Sequence, residues 1–295
     1  MQRHPNLALL GVILASIGFG LVPLFARSLT DQGMAPHAVA LYRYTLATLL
    51  LAPLAWRWRH RGRVLVWGLA AGLLMGLGWA AYVRAVEVVP VSTAGVLYMT
   101  YPAFALAFAW ALFGERPQAR AIIAALVILG AAALVTGPGN VEPQHLPALL
   151  MSLAAPAGFG LGIAVLVHRL PEVPALVRIG IVSAGSVLGL APLALATPVD
   201  ALLPVDAAGW GMVAGIGLGT ALIPQLLYTI CSPVVGTART AVAGSVELPV
   251  MFAIGWFAFG EALGPPQWIA CALVLGAILL SPARRPRSVA GAVEA

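Results

Sequence analysis

Ten apolar stretches, separated by short runs that hold nearly all the charge, constrain this chain more than any other feature. They lie near residues 7–26, 35–56, 64–84, 91–113, 118–137, 147–167, 174–196, 208–231, 236–259 and 267–282. Each approaches the roughly 20 residues that a helix needs to cross about 30 Å of hydrocarbon. Stretches such as 64–83 and 91–113 are apolar or small on every side, so a helix there offers water no polar face. The chain has 295 residues, of which 61% are hydrophobic and 9% charged, with a mean hydropathy of +0.97. That is more apolar surface than a soluble core of this length can bury, so lipid is the expected solvent. An all-α integral membrane protein follows. The first stretch carries Pro23 and ends at Ala26-Arg27 without a small-x-small cleavage pattern, and a matching segment recurs later. It is expected to be retained as a span rather than removed as a signal.

Charge sets the expected orientation. The formal charge of +6 comes from sixteen arginines and no lysine, and the arginines lie mostly between the apolar stretches. Such a distribution points to topology rather than to nucleic acid. With the N-terminus in the cytoplasm, Arg3, Arg57, Arg59, Arg61, Arg63, Arg116, Arg120, Arg169, Arg284, Arg285 and Arg287 fall on the inner side. The outer connections then hold Arg27 and Arg84 with Asp31, Glu87, Glu142, Asp200, Asp206 and Glu261. An even number of spans with both termini cytoplasmic satisfies the positive-inside bias. Trp56, Trp58 and Trp67 flank the basic loop as interfacial anchors, and Trp210 and Trp268 sit at other span ends. Cys231 and Cys271 lie in separate apolar stretches without metal or disulfide spacing and read as packing residues.

Four patterns occur twice in the same order. Gly18-Phe19-Gly20-Leu21 returns as Gly158-Phe159-Gly160-Leu161. The row Gly68, Gly72, Gly76 returns as Gly211, Gly215, Gly219. Ala94 with Pro102 returns as Ala241 with Pro249, and Phe113-Gly114-Glu115 returns as Phe259-Gly260-Glu261. The offsets are 140, 143, 147 and 146 residues. The chain thus reads as two five-helix repeats, 1–140 and 141–295. An odd number of spans per half makes the second repeat enter the membrane from the opposite side. Inverted repeats supply two conformations related by exchanging the roles of the halves, with a site near the midplane at their interface. Glycines four apart make a flat stripe for close helix packing.

The small residue, Pro and Phe-Gly-Glu pattern at Ala94, Pro102 and Gly114-Glu115, met again at Ala241, Pro249 and Gly260-Glu261, resembles that of EamA-type members of the drug/metabolite transporter superfamily. Overall similarity places the chain nearest YddG-type amino-acid exporters. The resemblance implies ten helices around a central cavity, a multi-pass protein of the cell (inner) membrane, and export of amino acids, aromatic or other neutral ones, or of related metabolites. Efflux of other metabolites or drugs is the alternative.

Candidate site residues follow from depth and chemistry. Glu247, two residues before Pro249, lies near the midplane of the ninth stretch, where it can meet a substrate ammonium, carry a proton, or be tied to helix-end and serine donors. Arg43, about eight residues into the second stretch, is either an outer-leaflet anchor by snorkelling or a carboxylate-binding group. Arg239 lies near the inner end of the ninth stretch and reads as an interfacial charge. Trp79 and Tyr82 share a helix face, as do Tyr98 and Tyr101, and Gln225 and Tyr228 beside Pro224 are placed to form the facing wall. Phenol-bearing aromatic faces suit an amphiphilic solute, although Tyr82 also fits an interfacial belt. Pro102 and Pro249 each remove an intrahelical bond at matching positions, as hinges or as passive kinks.

Other chemistries are weakly supported. HExxH, GxSxG and paired membrane aspartates are missing, and His4, His37, His60, His145 and His168 fall at loops or span ends. No enzyme, metal or cofactor is expected. A lysine-free chain cannot contain GxxxxGK[ST], so any driving force comes from gradients. A channel generally needs a ring of like residues in an oligomer, whereas here one chain carries both halves and a monomer suffices. The expected partners are a small-molecule substrate, amino acids first, and the lipid bilayer, with no nucleic acid.

Overall fold

A computed structural model describes residues 5–137, 139–235 and 246–280, together with 240, 243 and 244. Arg3, His4, Arg239, Ala241, Arg284, Arg285 and Arg287 lie outside the described residues. The described chain is helical, with short 3-10 turns at Pro143–His145 and Val199–Ala201. In order, the α-helices are α1 (Pro5–Gly20), α2 (Val22–Thr30), α3 (Pro36–Trp56), α4 (Gly62–Val86), α5 (Val91–Tyr98), α6 (Tyr101–Phe113) and α7 (Ala119–Val135). Then come α8 (Leu146–Ser152), α9 (Ala154–His168), α10 (Ala175–Leu195), α11 (Ala207–Ala214), α12 (Ile223–Val235), α13 (Glu247–Phe259) and α14 (Pro265–Leu280). A π-helical stretch, Gly215–Leu222, joins α11 to α12.

Seven helical stretches are long and apolar enough to cross a bilayer: Asn6–Thr30, Pro36–Trp56, Gly62–Val86, Val91–Phe113, Pro143–His168, Ala175–Leu195 and Ala207–Ser232. Ala119–Val135, Glu247–Phe259 and Pro265–Leu279 are apolar but shorter. The protein is a multi-pass integral membrane protein. Large apolar side chains on its outside mark the lipid-facing surface, among them Leu49, Val66, Trp110, Leu126 and Phe257. The interior combines many Ala, Gly and Val with Leu, Ile, Met and a few aromatics.

Proline explains where several of these spans break. It lacks an N–H and its ring meets the carbonyl four residues earlier, so it fits the first turn of a helix and ends the one before. Pro23, Pro36, Pro102 and Pro147 occupy first-turn positions of α2, α3, α6 and α8. Pro53 and Pro192 lie inside α3 and α10, each three residues before the helix ends. The closures of α6 and α13 are alike. Gly114 and Gly260 adopt left-handed φ of 66° and 64°. The next amides, of Glu115 and Glu261, donate to the carbonyls of Ala109 and Gly255 at 3.1 and 2.9 Å. A glycine at this position escapes the Cβ clash that other residues meet.

Close packing then seats the helices. α4 lies on α9 and α10, α3 on α10 and on the π-helical stretch, α1 on α12 and α13, α6 on α9, α13 on α5, and α14 on α7. The row Gly68, Gly72, Gly76 is the seat of α4 on α10. A Cβ on Gly72 would overlap the carbonyl oxygen of Val182, and one on Gly76 would overlap Ser186. Ser186 donates its hydroxyl to the Gly72 carbonyl at 2.8 Å, which is possible only at this short separation. The second row does not pack this way. A Cβ on Gly215 would meet the Phe25 ring, while Gly211 and Gly219 have open space there. From Gly215 onward the chain is π-helical, so Gly219 does not continue the face of Gly215, since residues four apart share a face only at α-helical pitch.

The repeated Gly-Phe-Gly segments make equivalent approaches. Gly18 abuts Pro224 and the Gly219 carbonyl, and Gly158 abuts the backbone of Leu74 and Met75. Gly20 abuts the Glu247 carbonyl and Val250, and Gly160 abuts the Tyr101 carbonyl and Phe104. Each Gly pair thus docks α1 or α9 against two partner helices and leaves the intervening phenylalanine directed between them.

Candidate functional site

The fourth apolar stretch is two helices. Pro102 cannot donate to the Tyr98 carbonyl, so α5 ends at Tyr98 and α6 begins at Tyr101. Thr100 is fully buried in the break and returns its hydroxyl to the Leu97 carbonyl at 2.6 Å. The ninth stretch resumes in the same manner with Glu247 as the first residue of α13, two before Pro249. Aligned on their glycine caps, the two 13-residue helices set Tyr101 opposite Glu247. Glu247 is 8% exposed and lies in the first turn of its helix.

Around these two breaks the aromatics converge. Ring centroids lie 5.0 Å apart for Trp79 and Tyr82, 5.2 Å for Trp79 and Tyr98, and 5.9 Å for Tyr82 and Tyr98. The chain of rings continues through Tyr98 and Tyr101 at 5.8 Å to Phe159, which is 5.0 Å from Tyr101 and 6.0 Å from Tyr98. These separations match offset or edge-to-face pairing. Across from them Phe19 packs edge-on against Tyr228 at 6.1 Å. Glu247 lies within electrostatic reach of the phenols of Tyr82, Tyr98, Tyr101 and Tyr228. α4, α5, α6 and α9 therefore supply one wall, and α1, α12 and α13 the other.

Arg43 enters the same cluster from α3. It is 6% exposed and does not snorkel; its guanidinium carbon sits 3.7 Å from the centre of the Trp79 ring and 5.5 Å from that of Tyr44. Nη2 donates to the Thr220 carbonyl at 3.3 Å. The residue four positions on is Pro224, which has no N–H to offer that carbonyl. Nε and Nη1 are buried without a hydrogen-bond partner. The charge of Arg43 is felt at Glu247, yet among the described residues the two form no ion pair. A buried cation and a buried carboxyl thus face one aromatic cluster without touching.

Two further constellations lie at the ends of α6 and α13. The Glu261 carboxylate accepts from the Val91 amide at 2.5 Å and from the Ser92 amide and hydroxyl at 3.2 and 3.1 Å, capping the start of α5. Arg27 reaches the same carboxylate at 3.4 Å, with its guanidinium 4.6 Å from the centre of the Phe259 ring. At the other end Glu115 lies 2.9 Å from Nε2 of His168, whose ring stacks on Phe113 at 4.6 Å. His168 Nδ1 is 2.9 Å from the Ala164 carbonyl.

Of the residues singled out from sequence, Trp79, Tyr82, Tyr98, Tyr101 and Glu247 come together, and Tyr82, 1% exposed, belongs to no interfacial belt. Tyr228 pairs with Phe19, while Gln225 is partly buried one turn away. Phe19 and Phe159 were visible as the centre of a duplicated motif, but their partners lie on other helices and left no local mark. Tyr44 and Thr220 carried no signal. Glu115, Glu261 and His168 were legible as pattern or loop residues, without their pairings. Among the described residues no three His, Cys, Asp or Glu side chains are placed to hold a metal, and both cysteines are free and buried.

Residues 6–137 match the model of the EamA-like transporter family. A riboflavin transporter of Rhizobium johnstonii is 28% identical over 97% of this chain and 96% of its own length. One solved crystal structure has the same fold, with a TM-score of 0.60 at 20% identity over 95% of this chain and 96% of that one.

Proposed function

We propose that the protein is a secondary transporter that carries a small amphiphilic solute with a planar ring, an aromatic or other neutral amino acid first. It does so by alternating access between two inverted five-helix halves, 1–140 and 141–295, in ten spans with both termini cytoplasmic. The observation that carries this reading is the continuous aromatic cluster at the junction of the halves, faced by a buried Arg43 and a buried Glu247. Aromatic faces take a ring, and a guanidinium with a carboxyl complements the two polar ends of an amino acid. The paired approaches of Gly18 with Gly158 and Gly20 with Gly160, and the like closures of α6 and α13, support the inverted repeat. So does the recurrence of α1 on α12 as α9 on α4, and of α1 on α13 as α9 on α6.

The two end constellations support alternating access. Arg27 and Glu261 close one mouth and His168 and Glu115 the other, each beside the phenylalanine and glycine that end α13 or α6. Opening either requires only that one pairing part while the other holds. Pro102 and Pro249, each in a helix start next to a break, are the hinges of that motion. The cell (inner) membrane is the expected setting.

A second reading, riboflavin as the solute, is favoured by the name of the Rhizobium relative and by the area of the ring cluster. Purified protein in liposomes, loaded separately with labelled aromatic amino acids and with riboflavin, separates the two. Saturable movement of an aromatic amino acid bears the first reading out, movement of riboflavin alone replaces it with the second, and movement of neither removes both.

A further inference from the structure

Arg43 is the group in this cluster whose chemistry is least complete. A guanidinium has five N–H donors, stays charged, and in the membrane interior is costly unless paired. Here one bond is made, to Thr220, and the face of the ion is covered by Trp79. Nε and Nη1 have no partner although their surroundings exclude solvent. The charges facing Arg43 are few. Glu247 on α13 is too far for an ion pair, and Tyr44, Tyr82 and Tyr98 present neutral phenols. The Tyr82 hydroxyl is also buried without a partner. Packing alone explains none of this, because a leucine or methionine would fill the space beneath Trp79 without stranding donors.

The ion is also held in place. The Trp79 ring and the Thr220 carbonyl fix the plane of the guanidinium and leave Nε and Nη1 buried without partners. Pre-positioned donors in a water-poor site are the arrangement that recognises an anion strongly.

We propose that Arg43 is the specificity-determining residue for a carboxylate on the transported solute, which accepts from an unpartnered N–H group of the guanidinium while the ring of the solute lies against Trp79, Tyr98 and Tyr101. This rests on the reading of the cluster as the transport site. Glu247 is left to meet a donor at the other end of the molecule. A solute without a carboxylate leaves the stranded donors unpaired and is rejected for that reason.

Binding can be read without transport. The purified full chain in detergent is titrated with 3-phenylpropionate and with 3-phenylpropionamide, and dissociation constants are taken from the rise in unfolding temperature. The acid is expected to bind about tenfold or more tighter than the amide in the wild type. In Arg43→Gln the ratio is expected to fall to about threefold or less through weaker binding of the acid. Arg43→Lys keeps the charge but moves the donors, and is expected to give an intermediate ratio. Equal affinities in the wild type, failure of both compounds to bind, or a ratio retained in Arg43→Gln overturns the proposal. The wild-type comparison stands even if a variant does not fold. Acid-selective binding without uptake by liposomes overturns the transport reading instead, and uptake without acid preference overturns only the role of Arg43.

Discussion

The Glu261 constellation allows two forces to be weighed in one pair of variants. The carboxylate is an ion-pair partner of Arg27 and an acceptor for three donors at the start of α5. The ion pair is long, 3.4 Å, and the Arg27 side chain is 27% exposed, so it is worth about 0.5–1 kcal/mol. The Glu261 side chain is 8% exposed and takes two backbone N–H groups that would otherwise be orphaned at a helix start. Hydrogen bonds to a charged group contribute about 1.5–3 kcal/mol each before non-additivity. Glu261→Gln keeps one acceptor oxygen and turns an NH2 toward N–H donors, so about 3 kcal/mol of stability is expected to be lost. Arg27→Gln is expected to cost under about 1 kcal/mol. Equilibrium unfolding in mixed micelles, followed by helical circular dichroism, measures both. If Arg27→Gln costs as much as Glu261→Gln, the ion pair and not the helix cap dominates, and the reasoning fails. Should the constellation also hold a mouth shut, about 3 kcal/mol moves the open population by about a hundredfold, visible as faster thiol labelling of a cysteine placed behind it.

The remaining predictions concern packing, closure and transport. Gly72→Ala places a Cβ on the backbone oxygen of Val182, which cannot step aside, and is expected to cost about 1–3 kcal/mol in the same unfolding assay, whereas Gly211→Ala, with open space, is expected to be neutral or mildly stabilising. Gly114→Ala and Gly260→Ala force an alanine into left-handed φ and are each expected to lose about 1–2 kcal/mol; equal tolerance of both would mean that the closures can relax. Glu247→Gln and Tyr101→Ala are expected to reduce substrate uptake into liposomes by about tenfold or more while leaving the unfolding midpoint within a few degrees; unaltered uptake would remove them from the site.

The solvent of this protein was legible in composition, because the free energy of placing 20 residues in lipid is a sum over the residues themselves. The helical class followed, since no other open backbone satisfies its own hydrogen bonds there. Pro102 announced the break between Tyr98 and Tyr101 and Gly114 the end of α6, as both act within one helical turn. The duplicated motifs were visible for the same reason. What the two glycine rows do was not: Gly68, Gly72 and Gly76 seat α10, while the identical spacing at Gly211, Gly215 and Gly219 runs from α11 into a π-helical turn and loses its common face at Gly219. Nor was the state of Arg43. Whether it anchors at the surface or lies buried depends on Trp79 and on a carbonyl at position 220, brought near by the seating of three helices. Local sequence determines which segments enter the membrane and where they bend. Only the tertiary structure decides which side chains meet between them, because those meetings are set by shape complementarity between helices far apart in the chain.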